Sequence, residues 1–282
     1  MRYVAAIDVG GTTMKGGLVA RDGTIRHFER RPTPRADGPE RVIAAVSSFV
    51  ADLARPRDGV RPPAVGLAVP GLVTPTHAVF SAAFGWRDVP AAAFAGDVDL
   101  PVALGHDVRS AGEAELAYGA AERDVLYLPI GTGIAGAVVL SGALHGGAGG
   151  WAGQIGHIPV RPDGLACGCG QRGCLAAYAS GGAVAARCGV AGAEEVLRLV
   201  LDGDARAVAV WDEAVEALAL ALTTYTLLLD PAAVVIGGGV SRAGEALLGP
   251  LRERLAGRLG RRRAPRLRVS GLGATAGLMG AG

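Results

Sequence analysis

The stretch Tyr3-Val4-Ala5-Ala6-Ile7-Asp8-Val9-Gly10-Gly11-Thr12-Thr13-Met14-Lys15-Gly16-Gly17-Leu18-Val19-Ala20 decides how the rest of the chain is read. Tyr3–Ile7 is an apolar strand, Asp8–Thr13 a Gly-Thr loop, and Gly16–Val19 a second apolar stretch. Asp22-Gly23 then gives a strong turn signal between strands. The same order returns further on. Val125–Ile130 is a strand, Gly131-Thr132-Gly133 a loop, Ala135–Leu140 a strand and Ser141-Gly142 a turn. Two such units predict two related halves.

Between and after them the pattern alternates. Pro39–Leu53 has helical spacing through Val42, Ile43, Val46, Phe49 and Val50. Val65–Val69 is a buried strand ending at Pro70-Gly71. Pro101–Leu104 is a short strand leading to Gly105-His106-Asp107, and Ser110–Tyr118 reads as helical. Further helices are expected at Ala193–Leu201, Ala205–Leu229 and Arg242–Leu255, with a strand at Ala233–Ile236 running into Gly237-Gly238-Gly239. Alternating strands and helices predict an α/β class.

Composition narrows the function. The chain has 282 residues, half of them apolar and 19% charged, which is enough for a sizeable core and excludes intrinsic disorder. Its net charge is +2, and Lys15 is its sole lysine. That balance argues against a nucleic-acid or membrane partner. Arg261-Arg262-Arg263 reads as a solvated turn. The most apolar helical run, Ala217–Leu229, is too short to cross a bilayer. Met1-Arg2-Tyr3 leads into a strand without a cleavable signal, so a cytoplasmic location is expected. In such a reducing compartment, Cys167, Cys169 and Cys174 read as metal ligands rather than disulfide partners.

Each loop has a chemistry and a plainer alternative. In Asp8–Thr13, Gly10 and Gly11 let backbone approach a ligand, and Thr12 and Thr13 add hydroxyl donors. Asp8 could hold magnesium-bound water. This suits phosphate oxygens, though an ordinary hairpin can look the same. Gly131-Thr132-Gly133 is a second such loop. Gly237-Gly238-Gly239, with Ser241 as an N-cap candidate, is a third, where helix amides could face a nucleotide. His157, Cys167, Cys169 and Cys174 are the residue types of a closed, structural Cys3His zinc site. Asp107 follows a strand and Gly105. There it could accept a hydroxyl proton or simply cap the helix near Ser110.

Together these features resemble the ROK family of sugar kinases and regulators, within the actin-like ATPase superfamily. The resemblance rests on Asp8–Thr13 with Lys15, Gly66–Gly71, Asp107, Ile130–Ile134, Gly153-Gln154-Ile155-Gly156-His157, the run Cys167–Cys174, and Gly237–Val240. It implies a two-lobed α/β, ribonuclease H-like fold with ATP and sugar in a cleft. The small lobe would be 1–107 plus roughly 269–282, and the large lobe 108–268. Asp8–Thr13 and Gly131–Gly133 would be phosphate loops and Gly237–Val240 the adenosine loop, with ATP and Mg2+ as cofactors and a structural Zn2+. Asp107 would be the catalytic base. Gly71, His106, Asp107, Gln154 and His157 would meet the substrate, His157 giving one ring nitrogen to zinc and the other to a sugar hydroxyl. A homodimer is compatible with the family.

Four positions depart from the family pattern. Its sugar kinases usually carry asparagine where His106 stands, glutamate for Gln154, and glutamate for Ala176; an asparagine near Ala83 is also usual. Ionised carboxylates only accept hydrogen bonds, whereas Gln154 also donates and Ala176 offers no polar group. Losing two such bonds, each about 1.5–3 kcal/mol, would weaken glucose by a factor on the order of 10². The expected activity is therefore ATP-dependent phosphorylation of a primary hydroxyl on a hexose-like polyol, with a C7-cyclitol preferred to glucose. The alternatives are an ordinary glucokinase and a catalytically dead sugar-binding protein. A sugar-sensing regulator would need a winged-helix domain ahead of Tyr3.

Overall fold

The computed structural model describes residues 3–57, 61–119 and 122–282. Met1 and Arg2, on which the leader reading rested, lie outside the described residues. The chain forms two compact units: Met1–Ala120 with Ala148–Trp151 and Ala274–Gly282, and Ala121–Gly147 with Ala152–Gly273.

The first unit opens with β1 (Tyr3–Val9), β2 (Thr13–Ala20) and β3 (Ile25–Pro32), an antiparallel meander. Asp22 Oδ1 accepts from Thr24 N at 3.0 Å in the β2–β3 turn. After helix α1 (Pro39–Ala54), β4 (Val65–Val69) pairs parallel with β1. A separate three-stranded sheet follows: β5 (Leu72–Val73), β6 (His77–Ser81) and β7 (Trp86–Pro90). Helix α2 (Ala91–Ala95) leads to β8 (Val102–His106), parallel to β4, and then to α3 (Asp107–Ala114), which continues as a π-helical turn over Glu115–Gly119. The main sheet runs β3-β2-β1-β4-β8.

The second unit repeats this order. β9 (Val125–Pro129), β10 (Ala137–Leu140) and β11 (Ala143–His145) form the meander. The helices α4 (Leu175–Ala179), α5 (Gly181–Cys188), α6 (Ala193–Leu201) and α7 (Ala205–Leu229) follow. β12 (Ala233–Gly237) pairs parallel with β9, helix α8 (Glu245–Leu259) follows, and β13 (Arg266–Val269) pairs parallel with β12. The sheet order is β11-β10-β9-β12-β13. Two sheets of one topology are the duplication that the repeated strand–Gly-Thr–strand pattern implies, in the actin-like ATPase fold. The chain then returns to the first unit as α9 (Ala276–Ala281).

Periodicity explains the cores. Val42, Val46, Phe49, Val50 and Leu53 lie on one face of α1 and are fully buried, the helix packing on β1 and β2. Truncating Phe49 to alanine would cost about 3–5 kcal/mol. In the second unit α7 is buried along most of its length, with Ala217, Ala219 and Ala221 admitting close neighbours. No described helix is long and apolar enough to cross a membrane.

Several boundaries differ from expectation. The first unit extends past Asp107, because α9 packs on α3 so closely that a side chain at Gly280 would meet Ser110 O at 1.7 Å. Tyr118 also donates to Arg21 O at 3.2 Å. Helix α3 starts at Asp107 rather than Ser110, since the His106 ring caps it. Helix α8 starts at Glu245, and Ser241 caps nothing: its hydroxyl donates to Gly238 O at 2.7 Å inside a 3-10 turn, and Gly244 occupies the N-cap.

Candidate active site

In the first unit, β1, β4 and β8 run parallel, with Asp8, Ala68 and Gly105 level with one another. Their carboxyl ends therefore gather Asp8, Gly71, His106 and Asp107, the place where open α/β sheets bind ligands. The tip of the β1–β2 loop is narrower than the sequence implies. Asp8 and Val9 belong to β1 and Thr13 to β2, leaving Gly10, Gly11 and Thr12 as the turn. Thr33 fastens that turn: its hydroxyl donates to Gly10 O at 2.7 Å and its N–H to Thr12 O at 3.0 Å.

Asp8 is buried and faces Lys15 across the hairpin, Nζ to Oδ2 at 3.0 Å. Helix α9 covers it, and a Cβ at Gly277 would meet Asp8 Cγ at 2.8 Å, so a side chain there would push the carboxyl out of place. Burial raises the Asp8 carboxyl above its ordinary range, with Lys15 opposing and the Asp107 charge adding to the rise.

Asp107 is the first residue of α3, and its Oδ1 accepts from Val108 N at 2.7 Å. Burial lifts its carboxyl as well, opposed by the Val108 hydrogen bond and by the charges of Arg109 and Lys15. His106 Nδ1 lies 3.4 Å from Arg109 N and 3.3 Å from Asp107 Oδ1. Burial and then the Arg109 charge push His106 down to about 4. It is neutral at neutral pH, so its contact with Asp107 is not an ion pair. Arg109 Nη1 also donates to Gly150 O at 3.3 Å, tying the 148–151 segment to this end of α3.

In the second unit the two remaining glycine loops are stitched together. Ile130 N donates to Gly237 O at 3.0 Å, Val240 N to Ile130 O at 3.1 Å, and Gly181 N to Gly131 O at 2.7 Å. Gly238 has φ +76°, and a Cβ there would meet Ile130 O at 2.4 Å, which explains a glycine at this point. Gly131, Thr132, Gly181, Gly182, Gly239 and Val240 line a pocket of about 630 Å3. Its farther wall is Ala185, Ala186, Val190 and Ala191, apolar and of small side chains. Helix α5 and the 189–194 turn were not legible as part of a site. Their run of glycine and alanine has no hydrophobic periodicity, and the Ser180 cap, accepting from Ala183 N at 3.1 Å, was the sole local signal.

The Cys-His group also assembles in this unit. Gln154 precedes the 3-10 turn Ile155–His157, Cys167 and Cys169 lie in the following loop, and Cys174 immediately precedes α4. Cys167 N donates to Gln171 O at 2.9 Å, and Tyr178 Oη accepts from Leu165 N at 2.8 Å, which shape the loop. The four ligand atoms lie within 4.8 Å of one another. Cys169 Sγ–Cys174 Sγ and Cys167 Sγ–His157 Nδ1 are both 3.7 Å. A zinc tetrahedron with metal–ligand bonds of ordinary length has edges of about 3.5–3.8 Å, so these residues fit one. Burial and the neighbouring sulfurs push the Cys174 thiol up to about 12, a crowding that a cation would relieve. The ring offers Nδ1 to the cluster and keeps Nε2 on its other side. Ala176, on α4, is half-buried against the core.

Comparison with known proteins agrees with this architecture. The chain is 35% identical to the glucokinase of Thermotoga maritima over 274 residues, 88% of this chain and 86% of that protein. It is 33% identical to the N-acetylmannosamine kinase of Escherichia coli O157:H7 over 248 residues, 84% of this chain and 83% of that one. A ROK family glucokinase from Streptomyces griseus, solved in complex with glucose and AMPPNP, superposes with a TM-score of 0.86 at 30% identity, covering 99% of this chain and 97% of the other. The family model described as "ROK family" matches residues 4–282, and the chain belongs to that family.

Proposed function

We propose that this chain is a sugar kinase that transfers the γ-phosphoryl group of ATP to a primary hydroxyl of a hexose. The observation that carries the reading is Asp107: a half-buried carboxyl with raised proton affinity just after the carboxyl end of β8, in a chain that resembles glucokinases along nearly its whole length. Asp107 accepts the hydroxyl proton as the oxygen forms its bond to phosphorus in line and the bond to the leaving ADP breaks. A raised carboxyl is the stronger base once ionised. Lys15 and Asp8 hold the charge at the first loop, where Gly10–Thr13 would meet phosphate oxygens. Gly131–Gly133 and Gly237–Gly239 would hold the nucleotide in the second unit. Bound Mg2+ would neutralise phosphate charge, with Asp8 placed to bind its water shell.

His157, Cys167, Cys169 and Cys174 would hold a structural Zn2+. With Nδ1 on the metal, the His157 ring is fixed and its Nε2 is available to a sugar hydroxyl. Gly71, His106 and Gln154 complete the proposed substrate contacts.

Glucose and N-acetylmannosamine name the relatives, so a hexose is the closer reading of the substrate. The C7-cyclitol expectation gains nothing from these relatives and rests on His106, Gln154 and Ala176 alone. A panel of glucose, N-acetylmannosamine and a valiolone-type cyclitol, assayed for ATP-dependent phosphorylation, tests both. Glucose turnover at a kcat/KM of about 10⁴ M⁻¹s⁻¹ or more is expected. Cyclitol turnover with glucose idle would reinstate the second substrate, and no transfer to any of them would overturn the kinase reading.

A further inference from the structure

The 630 Å3 pocket of the second unit has one ionisable residue among those that line it, Glu194 on the first turn of α6. Its position along the pocket can be read from its neighbours. A Cβ at Gly181 would lie 3.4 Å from Ala193 Cβ and 2.8 Å from Gly131 O. The start of α6 is therefore beside the Gly131 loop, whereas Ala185 and Ala186 lie a turn or more along α5 and Val190 just past its end. An elongated ligand with phosphates at Gly131-Thr132 and an apolar ring against Ala185, Ala186 and Val190 would bring its middle section to Glu194.

Glu194 also has a partner across the pocket's edge. It pairs with Arg242, which follows the Gly239-Val240 wall, so the ion pair links the two elements that flank the pocket. A carboxylate has room for about four hydrogen bonds and only accepts them. With Arg242 on one oxygen, the other remains able to take two adjacent hydroxyl protons.

Resting on the reading of this pocket as the nucleotide site, we propose that Glu194 is a specificity-determining residue that grips the vicinal ribose hydroxyls of the phosphate donor and so selects ribonucleotides over 2′-deoxynucleotides. The rest of the lining is apolar or glycine apart from Thr132, so no other side chain of the pocket duplicates this contact.

The test compares KM for ATP and for dATP in the wild-type enzyme, in Glu194→Leu and in Ala186→Trp. Glu194 is exposed at the surface, so its replacement leaves the fold intact. The wild type is expected to favour ATP by about tenfold or more in KM, the size of one lost hydrogen bond to a charged group. In Glu194→Leu, KM for ATP rises by about that factor and KM for dATP moves much less, so the ratio approaches one. An equal rise for both nucleotides, or a ratio unchanged from wild type, overturns the role of Glu194. Ala186→Trp fills the pocket and is expected to weaken both nucleotides together. If it weakens neither, the pocket reading itself fails, whatever Glu194 does.

Discussion

The β1–β2 hairpin of the first unit and the β9–β10 hairpin of the second occupy equivalent places in two sheets of the same strand order, yet their loops hold different chemistry. The first is charged at its base, where a buried Asp8, covered by α9, pairs with a half-buried Lys15. At the same sheet end stand His106 and Asp107. The second carries no ionisable side chain between Ile130 and Ile134, and it is fixed by backbone hydrogen bonds to the Gly237–Val240 and Gly181 segments. The difference is one of task. Carboxyls with raised proton affinity, one buried and one half-buried, suit a step that moves a proton, and they are costly to keep. Glycine loops bonded to one another suit holding an anion, and they make few demands on the surrounding charge. Under the proposed function, duplication of a single topology would let one half specialise in chemistry and the other in holding the donor.

The strongest way to break that division is Asp107→Asn. The amide keeps the shape at the start of α3 but cannot accept the proton. Phosphoryl transfer is expected to fall by about 10²–10⁴-fold while sugar binding, followed by calorimetry, changes little. A variant that keeps more than about a tenth of wild-type kcat contradicts the base assignment and moves the proton step elsewhere. In the wild type, the raised Asp107 carboxyl also places the acid limb of the kcat/KM profile above the pH of an ordinary aspartate, with activity lost as pH falls through it.

The Cys-His loop has no counterpart in the first unit, which makes it the second test. One zinc per chain is expected by elemental analysis of purified protein, and Cys169→Ser should lower that occupancy. Loss of the metal should lower thermal stability and, by freeing the loop that orients His157, reduce kcat/KM by about 10–100-fold. Protein purified without chelators that contains no zinc would show that the tetrahedral spacing is kept by the loop's hydrogen bonds alone.

How much of this was legible in the sequence follows from the range of the forces involved. Both hairpins could be read because strand periodicity and turn residues are local. The four metal-binding candidates could be read because three of them lie within eight residues, Cys167 to Cys174. The burial of Asp8 could not, since it depends on α9, the last helix of the chain, packing Gly277 onto its carboxyl. The start of α3 was misplaced because a histidine, outside the usual capping residues, supplies its ring nitrogen as the cap. Ser241 failed in the opposite sense: a good capping residue bonded back to Gly238 instead. The α5 wall of the pocket was missed because glycine and alanine carry little pattern, although their smallness is what leaves the pocket open.

The smallest expected effect sharpens the comparison at His106, the residue that ties helix geometry to the acid–base end of the first unit. Its pKa falls from 6.5 to about 4 on folding, because burial and Arg109 disfavour the imidazolium. Between those values the unfolded chain binds a proton that the folded chain does not. His106 therefore contributes stability that is fully present above pH 6.5 and is lost as pH falls toward about 4. The shift corresponds to about 3 kcal/mol. Asp8 and Asp107 act with the opposite sign, since carboxyls with raised pKa favour the folded state at lower pH. The total slope is thus a difference, and a substitution is needed to separate it. His106→Asn is suitable, because asparagine caps helices well and preserves the start of α3. Urea unfolding of both proteins across roughly pH 3.5–7.5, a window of about 4 units chosen to span the two pKa values, isolates the histidine contribution. The gap between wild type and variant should shift steadily against the wild type as pH falls. A gap independent of pH would mean that His106 titrates alike in both states, and that the neutral ring beside Asp107 is not part of how this half of the molecule keeps its proton acceptor.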